Sequence, residues 1–173
     1  MAHKEIEIQD IEKYKNVFDL FSDSAIALAN SGKKINGLTI GWGSLGVLWS
    51  KPTCVVYVHE TRYSRCIFDE ADSFAVCFFK SEYDSQLDYF GRVSGKDVDK
   101  IKESGLILKE EDRISYFAEA ELVILCRKMG QSKFDLDKIN EDRIIKWYEK
   151  EGVHTIYYGE IIRVLEKKKK SDL

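Results

Sequence analysis

The sequence predicts a mainly β fold, a β-barrel with flanking helices, formed by a single domain over residues 1–173. Short apolar runs rich in β-branched and aromatic residues outnumber the segments with helical spacing. The strands are not separated by regular helices, as a parallel sheet would require, so an antiparallel barrel fits the pattern better. No repeat or low-complexity linker divides the chain, and we expect only residues 1–10 and 167–173 to form flexible tails.

The first part of the chain combines one helix with short strands. Apolar residues between Tyr14 and Phe21 recur at helical spacing, which predicts a helix with one apolar face. Pro52 cannot donate to a sheet ladder, so it fits the start of a strand. The expected elements are, in order, a helix over Glu12–Asp23 and strands over Ala25–Ala29, Leu38–Trp42 and Cys54–His59.

The second part adds short helices between strands. Ser64 is a residue type that favours a helix N-cap, and Gly105 is a residue type that ends helices. The β-branched and aromatic segment at the end of the chain predicts a long strand. The expected elements are helix Ser64–Ala71, strand Phe74–Phe79, helices Ser85–Gly91 and Val98–Ser104, a β-prone segment Tyr116–Arg127, helix Asn140–Tyr148 and strand His154–Leu165.

Composition argues against several classes of partner and site. A net charge of -3 gives no basic field for nucleic acid, and no apolar run approaches the roughly 20 residues that cross a bilayer. The charged first ten residues lack the apolar core of a signal peptide, so we expect a cytoplasmic protein without nucleic-acid or membrane partners. The cysteines lack Cys-x-x-Cys spacing, and we expect Cys54, Cys77 and Cys126 to be buried hydrophobes without a metal.

A glycine-rich segment follows the second expected strand. Gly41, Gly43 and Gly46 flank Trp42, and glycines there let backbone groups approach a flat ligand closely. On that hypothesis, a valine at Gly43 displaces the ligand and leaves the fold intact. Spacing alone equally allows a glycine-rich β-bulge with Trp42 in the core.

Arg62-Tyr63-Ser64 follows the third expected strand. A guanidinium beside two hydroxyls at a helix N-terminus suits a phosphate group. The alternative is a surface ion pair of Arg62 with Glu60 and an ordinary cap at Ser64. A flat ring and a phosphate together describe flavin mononucleotide, FMN.

These segments resemble the flavin reductase-like family of FMN-binding split β-barrel proteins. The resemblance implies that fold, bound FMN, and a homodimer with cofactor sites near the subunit interface. It rests on Asn36-x-x-Thr39-x-x-Trp42-Gly43, Gly46-x-x-Trp49-x-x-Pro52, Arg62-Tyr63-Ser64 and Gly91-x-x-Ser94-Gly95-x-Asp97-x-Asp99-Lys100-Ile101.

The resemblance also implies the residues that contact the flavin. Lys80 would approach the pyrimidine edge, although an exposed loop lysine is the alternative, and His59 stands where relatives often carry another basic residue. The loop from Ser94 to Lys100 lies near the cofactor or the dimer interface in that family, or forms a turn with a cap at Asp97. The implied contacts are Thr39, Ile40, Gly41, Trp42, Gly43 and Ser44, with Arg62, Tyr63 and Ser64 at the phosphate. Phe79 and Lys80 are added on chemical grounds, because a positive charge near the pyrimidine edge stabilises the reduced flavin.

Three functions remain open at this point. The first is an NAD(P)H-dependent flavin oxidoreductase, in which NADH or NADPH is a transient substrate and no side chain need act as acid or base. The second is a flavoredoxin-like electron carrier that keeps its FMN, oxidises no nucleotide and exchanges electrons with a redox protein partner. The third is a barrel that binds no flavin and acts through its dimer surface.

Overall fold

The computed structural model describes residues 2–22 and 25–168. Short 3-10 turns cover Ile8–Asp10, Ser81–Tyr83 and Leu136–Lys138. The helices are α1 Ile11–Tyr14, α2 Val17–Ser22, α3 Ser64–Glu70, α4 Asp84–Arg92, α5 Lys100–Ser104 and α6 Asp142–Glu151. The strands are β1 His3–Ile6, β2 Ala25–Asn30, β3 Ile35–Ile40, β4 Gly43–Leu48, β5 Lys51–His59, β6 Ser73–Phe78, β7 Leu108–Glu111, β8 Ile114–Phe117, β9 Leu122–Lys133 and β10 His154–Lys167.

The main sheet contains eight antiparallel strands, which confirms the mainly β prediction. Its order is β3-β2-β6-β9-β10-β5-β4, and β1 pairs with the far half of β10. β3 and β4 are therefore the two ends of the sheet, and no ladder among the described residues joins them into a closed barrel. β7 and β8 form a separate two-stranded hairpin.

Alternate residues of the central strands pack on opposite faces of the sheet. In β2, Ala25 and Ala27 belong to one buried cluster, and Ile26 and Leu28 to the other. Both faces are therefore covered, which explains why β2, β6 and the first half of β9 are continuous apolar runs.

The amino-terminal segment differs from the sequence prediction. Residues 1–10 were expected to be a tail, but β1 pairs with β10, with His3 opposite Lys167 and Ile6 opposite Val164. The predicted first helix is divided at Asn16, because Lys15 is extended and the Asn16 side chain accepts from the backbone N–H of Asp19. Asp23, the last residue of that helix prediction, lies outside the described residues, as do residues 169–173 of the predicted carboxyl-terminal tail.

Two further strands, β4 and β7, were missed because their patterns are weak. The glycine-rich segment predicted as a turn contains β4, in which Gly43 pairs with Val56 and Gly46 with Thr53. The β-prone segment Tyr116–Arg127 is interrupted between β8 and β9. The other predicted helices and strands are confirmed within a few residues, including the helix that ends at Gly105 with a φ of 72°. Among the described residues, no helix has the length and apolar character needed to cross a membrane.

Candidate functional site

The aromatic cavity, about 340 Å³, opens where β3 ends and β10 begins. One wall is the backbone that leaves β3, from Leu38 to Trp42. The opposite wall comes from β5, α6 and the first residue of β10, so distant parts of the chain meet here. The residues of that second group are Tyr57, His59, Thr61, Arg62, Trp147, Glu151 and His154.

The β3 wall exposes backbone hydrogen-bonding groups. β3 is an end strand, and its Gly37 carbonyl points away from β2, since it accepts from the Ser64 hydroxyl at 3.0 Å. Residues two apart in a strand direct their N–H and C=O groups to the same edge, so Thr39 directs its pair toward the cavity. The Thr39 hydroxyl itself donates to the Leu87 carbonyl. Thr39 therefore offers a ligand its backbone amide and carbonyl rather than its hydroxyl proton.

Aromatic rings form the opposite side of the cavity. The His154 ring centroid lies 4.8 Å from that of Trp42 and 6.0 Å from that of Trp147. Trp42 is 51% exposed, so it is not the core residue that the β-bulge alternative required. Burial, then the neighbouring His59 and Arg62, lower the pKa of His154 to about 4. The imidazole of His154 is therefore neutral near neutral pH, whereas Arg62 and Glu151 bring one charge of each sign to the lining of the cavity.

His59 is bound on both sides of its ring. Its Nδ1 accepts from the backbone N–H of Thr61 at 3.3 Å, which places the proton on Nε2. Nε2 then donates to the Gly152 carbonyl at 2.9 Å. His59 thus ties the turn before β10 to β5, and both of its ring nitrogens are engaged within the protein.

Gly43 is required by packing, which corrects the expectation that valine is tolerated there. A Cβ at Gly43 would lie 2.0 Å from Cε1 of Phe21, inside the ring. A Cβ at Gly46 in the same strand meets nothing within 4 Å. Gly43 and Ser44 therefore support the cavity from behind: Ser44 Oγ lies 3.3 Å from the Tyr57 hydroxyl.

A second, small cavity of about 70 Å³ adjoins the aromatic cavity and shares Leu38, Thr61 and Arg62 with it. The Arg62 guanidinium is held by the Gly91 carbonyl at 2.6 Å. Lys100 lines the same cavity, although its side chain is buried and its residue exposure is 3%. Its ammonium donates to the Phe90 carbonyl at 3.0 Å.

Two of the three cations that line the small cavity, Arg62 and Lys100, affect each other, whereas the third, Arg92, pairs with Asp88. Burial, and then the charge of Arg62, lower the pKa of Lys100 to about 8. No described carboxylate forms an ion pair with Lys100 or Arg62. An anion between them would supply the missing countercharge, because buried cations are stable only when paired.

Ser64 does not have the predicted role. It is the first residue of α3, Tyr63 takes the cap position, and no side chain caps the helix. The Ser64 hydroxyl accepts from Asn36 at 3.0 Å and donates to Gly37, and the residue is 2% exposed. Ser64 therefore fixes α3 against β3, while Tyr63 lines the small cavity and accepts a 2.9 Å hydrogen bond from Lys34.

Four predicted site residues line neither cavity: Gly43 and Ser44, in β4 just after the β3 wall, and Phe79 and Lys80. The Phe79 ring packs 5.7 Å from Tyr83 and 6.3 Å from Phe117, against the second core cluster. The Lys80 ammonium pairs with Glu121 at 3.2 Å. The other predicted residues lie on the β3–β4 wall or at the start of α3.

Sequence reasoning missed Lys100, Trp147 and His154. Lys100 could have been noticed, since it falls in the second motif of the family resemblance. The motif did not show, however, that Lys100 is a buried cation that lines the small cavity. Trp147 and His154 reach the cavity because α6 and β10 return to the end of β3. No local pattern marks such a contact.

The cysteines and acidic residues form no competing site in residues 2–22 and 25–168. Cys54, Cys77 and Cys126 are buried, as predicted, and Cys66 is exposed on α3. No group of three potential metal ligands occurs there. Burial raises the pKa of the Cys77 thiol to about 12, so this sulfur is inert near neutral pH.

Comparisons with known proteins agree with this geometry. The flavin reductase-like domain family matches residues 23–173. Flavoredoxin from Methanosarcina acetivorans is 26% identical, covers 84% of this chain and 68% of its own, and has a TM-score of 0.67. An FMN-binding domain of a flavin reductases-like enzyme from Shewanella baltica is 14% identical, with 96% and 78% covered and a TM-score of 0.68. An NADH:FAD oxidoreductase from Streptomyces globisporus is 17% identical, with 83% and 73% covered and a TM-score of 0.63. No curated protein sequence matches this chain.

Proposed function

We propose that this chain, which belongs to the flavin reductase-like domain family, binds FMN in an open split barrel and is an NAD(P)H-dependent flavin oxidoreductase. NADH or NADPH is the transient hydride donor. Bound flavin supplies the redox chemistry that the side chains lack. The chain contributes binding, orientation and exclusion of water.

One observation carries this proposal: a cavity lined by aromatic side chains adjoins a small cavity in which two cations, Arg62 and Lys100, pair with no described carboxylate. Arg62 and Lys100 would hold the phosphate, since each offers charged donors to its oxygens. A mononucleotide with a large flat ring and a single phosphate fits both cavities, with its ring in the aromatic cavity and its phosphate in the small one. The Ser64 hydroxyl, already bonded to Gly37, is left out of this set.

The aromatic cavity would receive the ring. The outward N–H and C=O of Thr39 suit the alternating acceptors and donors of a pyrimidine edge. Trp42, Trp147 and His154 would cover the ring from solvent and offer it uncharged aromatic surfaces. Positioning two flat rings in contact is the main requirement for hydride transfer, so no general acid or base is assigned.

The first test is the absorption spectrum of the purified protein, followed by anaerobic addition of NADH or NADPH. We expect visible flavin absorbance after reconstitution with FMN, and bleaching when a nucleotide is added. A protein that takes up no FMN would contradict the proposal and would leave the flavin-free barrel as the explanation. FMN uptake without nucleotide oxidation would contradict the reductase activity alone.

A flavoredoxin-like electron carrier is the second candidate. It is favoured by the 26% identity to the Methanosarcina acetivorans flavoredoxin over 84% of this chain. On this alternative FMN stays bound and a redox protein partner supplies the electrons. Fast reduction by a ferredoxin-type donor, together with no oxidation of NADH or NADPH, would select it.

We also propose that the protein is a cytoplasmic homodimer with its cofactor sites near the subunit interface. β4 is an end strand, and large apolar side chains are exposed on it and on the turn that follows it. Val47 is 78% exposed and Trp49 66% exposed, which is typical of a surface covered by another protein. Light scattering at several protein concentrations tests the dimer, and a monomer at every concentration would contradict it.

A further inference from the structure

A third cavity, which we call the lysine cavity, adjoins the small cavity and shares no lining residue with the aromatic cavity. It measures about 400 Å³, and Tyr63, Gly95 and Lys100 line both it and the small cavity. Lys100 therefore stands between the space assigned to the FMN phosphate and a space to which the proposed function assigns no ligand.

The surroundings of Lys100 are those of a nucleophilic amine. Burial, and then the charge of Arg62, lower its pKa to about 8, so about a tenth of these side chains are neutral at pH 7. The Nζ atom donates to the Phe90 carbonyl at 3.0 Å, which engages an N–H and leaves the lone pair of the neutral amine available. A lysine that is desolvated beside another cation is the kind of lysine that attacks electrophiles.

Two exposed lysines, Lys34 and Lys96, bring positive charge to the same cavity. A 2.9 Å hydrogen bond to the Tyr63 hydroxyl raises the pKa of Lys34, so its ammonium stays charged where that of Lys100 does not. Asp97 and Asp99 also line the cavity, but Asp99 is occupied as the N-cap of α5. The lining therefore offers a small phosphate compound two cationic donors beside a buried amine.

We propose that Lys100 is a modification site that is acylated by an acyl phosphate, whose phosphate group Lys34 and Lys96 hold in the lysine cavity. The neutral Nζ attacks the acyl carbon, and the bond between that carbon and the phosphate oxygen breaks. The phosphate leaves with the electron pair and takes up the proton that the nitrogen loses. The products are an amide on Lys100 and hydrogen phosphate, and no oxidant or reductant is needed.

Acylation removes a charge that flavin binding uses, and this consequence rests on the proposed function. The amide is uncharged, so Arg62 alone faces the FMN phosphate without a carboxylate partner. Bound FMN has the converse effect, because a phosphate beside Nζ keeps the amine protonated and unreactive. Acylation and flavin binding therefore oppose each other at one side chain.

The test treats the flavin-free full chain with acetyl phosphate and follows each lysine by peptide mass spectrometry. We expect Lys100 to be acetylated at least about tenfold faster than Lys102, an exposed lysine of α5 that does not line the cavity. The double variant Lys34→Ala and Lys96→Ala should lose most of that advantage, with the Lys102 rate unchanged. A Lys100 rate no greater than that of Lys102 would overturn the inference.

An uncharged acyl donor, p-nitrophenyl acetate, separates the binding of the phosphate from the reactivity of the amine. With this donor the preference for Lys100 over Lys102 should be smaller, because nothing in the reagent pairs with Lys34 and Lys96. An equal preference with both donors would show that the cavity does not hold the phosphate, and would overturn its assignment to acyl phosphates.

FMN separates the inference from the function on which its consequence rests. Saturating FMN should slow the acetylation of Lys100 by about tenfold, and Lys100→Gln, which matches the acetylated side chain in charge, should weaken FMN binding by about tenfold. Selective acetylation that bound FMN does not slow would place the flavin phosphate away from Lys100 and leave the modification site standing. No selective acetylation, in a protein whose FMN affinity falls with Lys100→Gln, would overturn the inference and leave the FMN proposal standing.

Discussion

The aromatic cavity and the small cavity share three residues, yet they differ in the kind of side chain that lines them. The aromatic cavity is lined mainly by aromatic rings and by the backbone that leaves β3; His154 is neutral near neutral pH, and Arg62 and Glu151 contribute one charge of each sign. The small cavity places two cations together with no carboxylate partner. The difference indicates that shape selects the ligand at one end and charge fixes its orientation at the other.

The largest expected effect comes from removing the charge at the small cavity. Arg62→Ala should weaken FMN binding by at least about 1.5 kcal/mol, and the double variant with Lys100→Met by about 3 kcal/mol, because each charged contact to phosphate is lost. Lys100→Met should keep the protein folded, since it replaces a buried charged side chain by an uncharged one of similar volume. Titration of flavin fluorescence measures the change, with Lys102→Ala as control, and unchanged affinity in the double variant would show that the phosphate binds elsewhere.

A second substitution tests the support of the aromatic cavity. Gly43→Ala places a methyl group inside the Phe21 ring, so we expect the free energy of unfolding to fall by about 2 kcal/mol. Gly46→Ala in the same strand, which meets nothing within 4 Å, should change it by well under half of that. Urea unfolding of the two variants makes the comparison. Equal stability would mean that β4 shifts freely and that the wall behind the cavity is not rigid.

The pH dependence of binding should come from the cationic end alone. The pKa of Lys100 is about 8 in the free protein, and a bound phosphate raises it, so FMN affinity falls as pH rises through that value. Between pH 7 and 9 we expect a loss of up to about tenfold, which Lys100→Met should abolish. His154, with its pKa near 4, should contribute nothing above pH 5. An equal slope in the Lys100→Met variant would assign the titration to another group.

The smallest expected effect is at the aromatic end. Trp147→Ala should weaken FMN binding by about 1 kcal/mol and increase the fluorescence of bound flavin, because one aromatic contact is removed. Phe18→Ala, at an exposed aromatic residue that does not line the cavity, is the matched control. A loss with Trp147→Ala no larger than that with Phe18→Ala would contradict the placement of the ring against Trp147.

The sequence predicted local features well and long-range ones poorly. The strands β2, β5, β6 and β10 were found because buried β-branched runs are distinctive, and α5 because Gly105 ends it. β1 is short and charged, and β4 contains two glycines, so neither has a strand pattern that a local rule detects.

The same distinction explains the candidate site. Thr39 and Arg62 stand beside recognisable motifs, whereas Trp147 and His154 are placed by the return of α6 and β10 to the end of β3. Ser64 was misassigned because its hydroxyl bonds laterally to Gly37, a contact that only the packing of α3 on β3 creates. The role of Lys100 could not be predicted, because the sequence does not show whether a lysine side chain is buried or solvated.

The aromatic cavity is assembled from four stretches of chain that are remote in sequence: the end of β3, the end of β5, α6 and the first residue of β10. A ligand bound there would contact all four segments and stabilise their arrangement. Saturation at a hundredfold excess over Kd would therefore raise the free energy of unfolding by about 2.7 kcal/mol. We expect the carboxyl-terminal helix α6, whose neighbouring turns are exposed, to gain the most resistance to proteolysis.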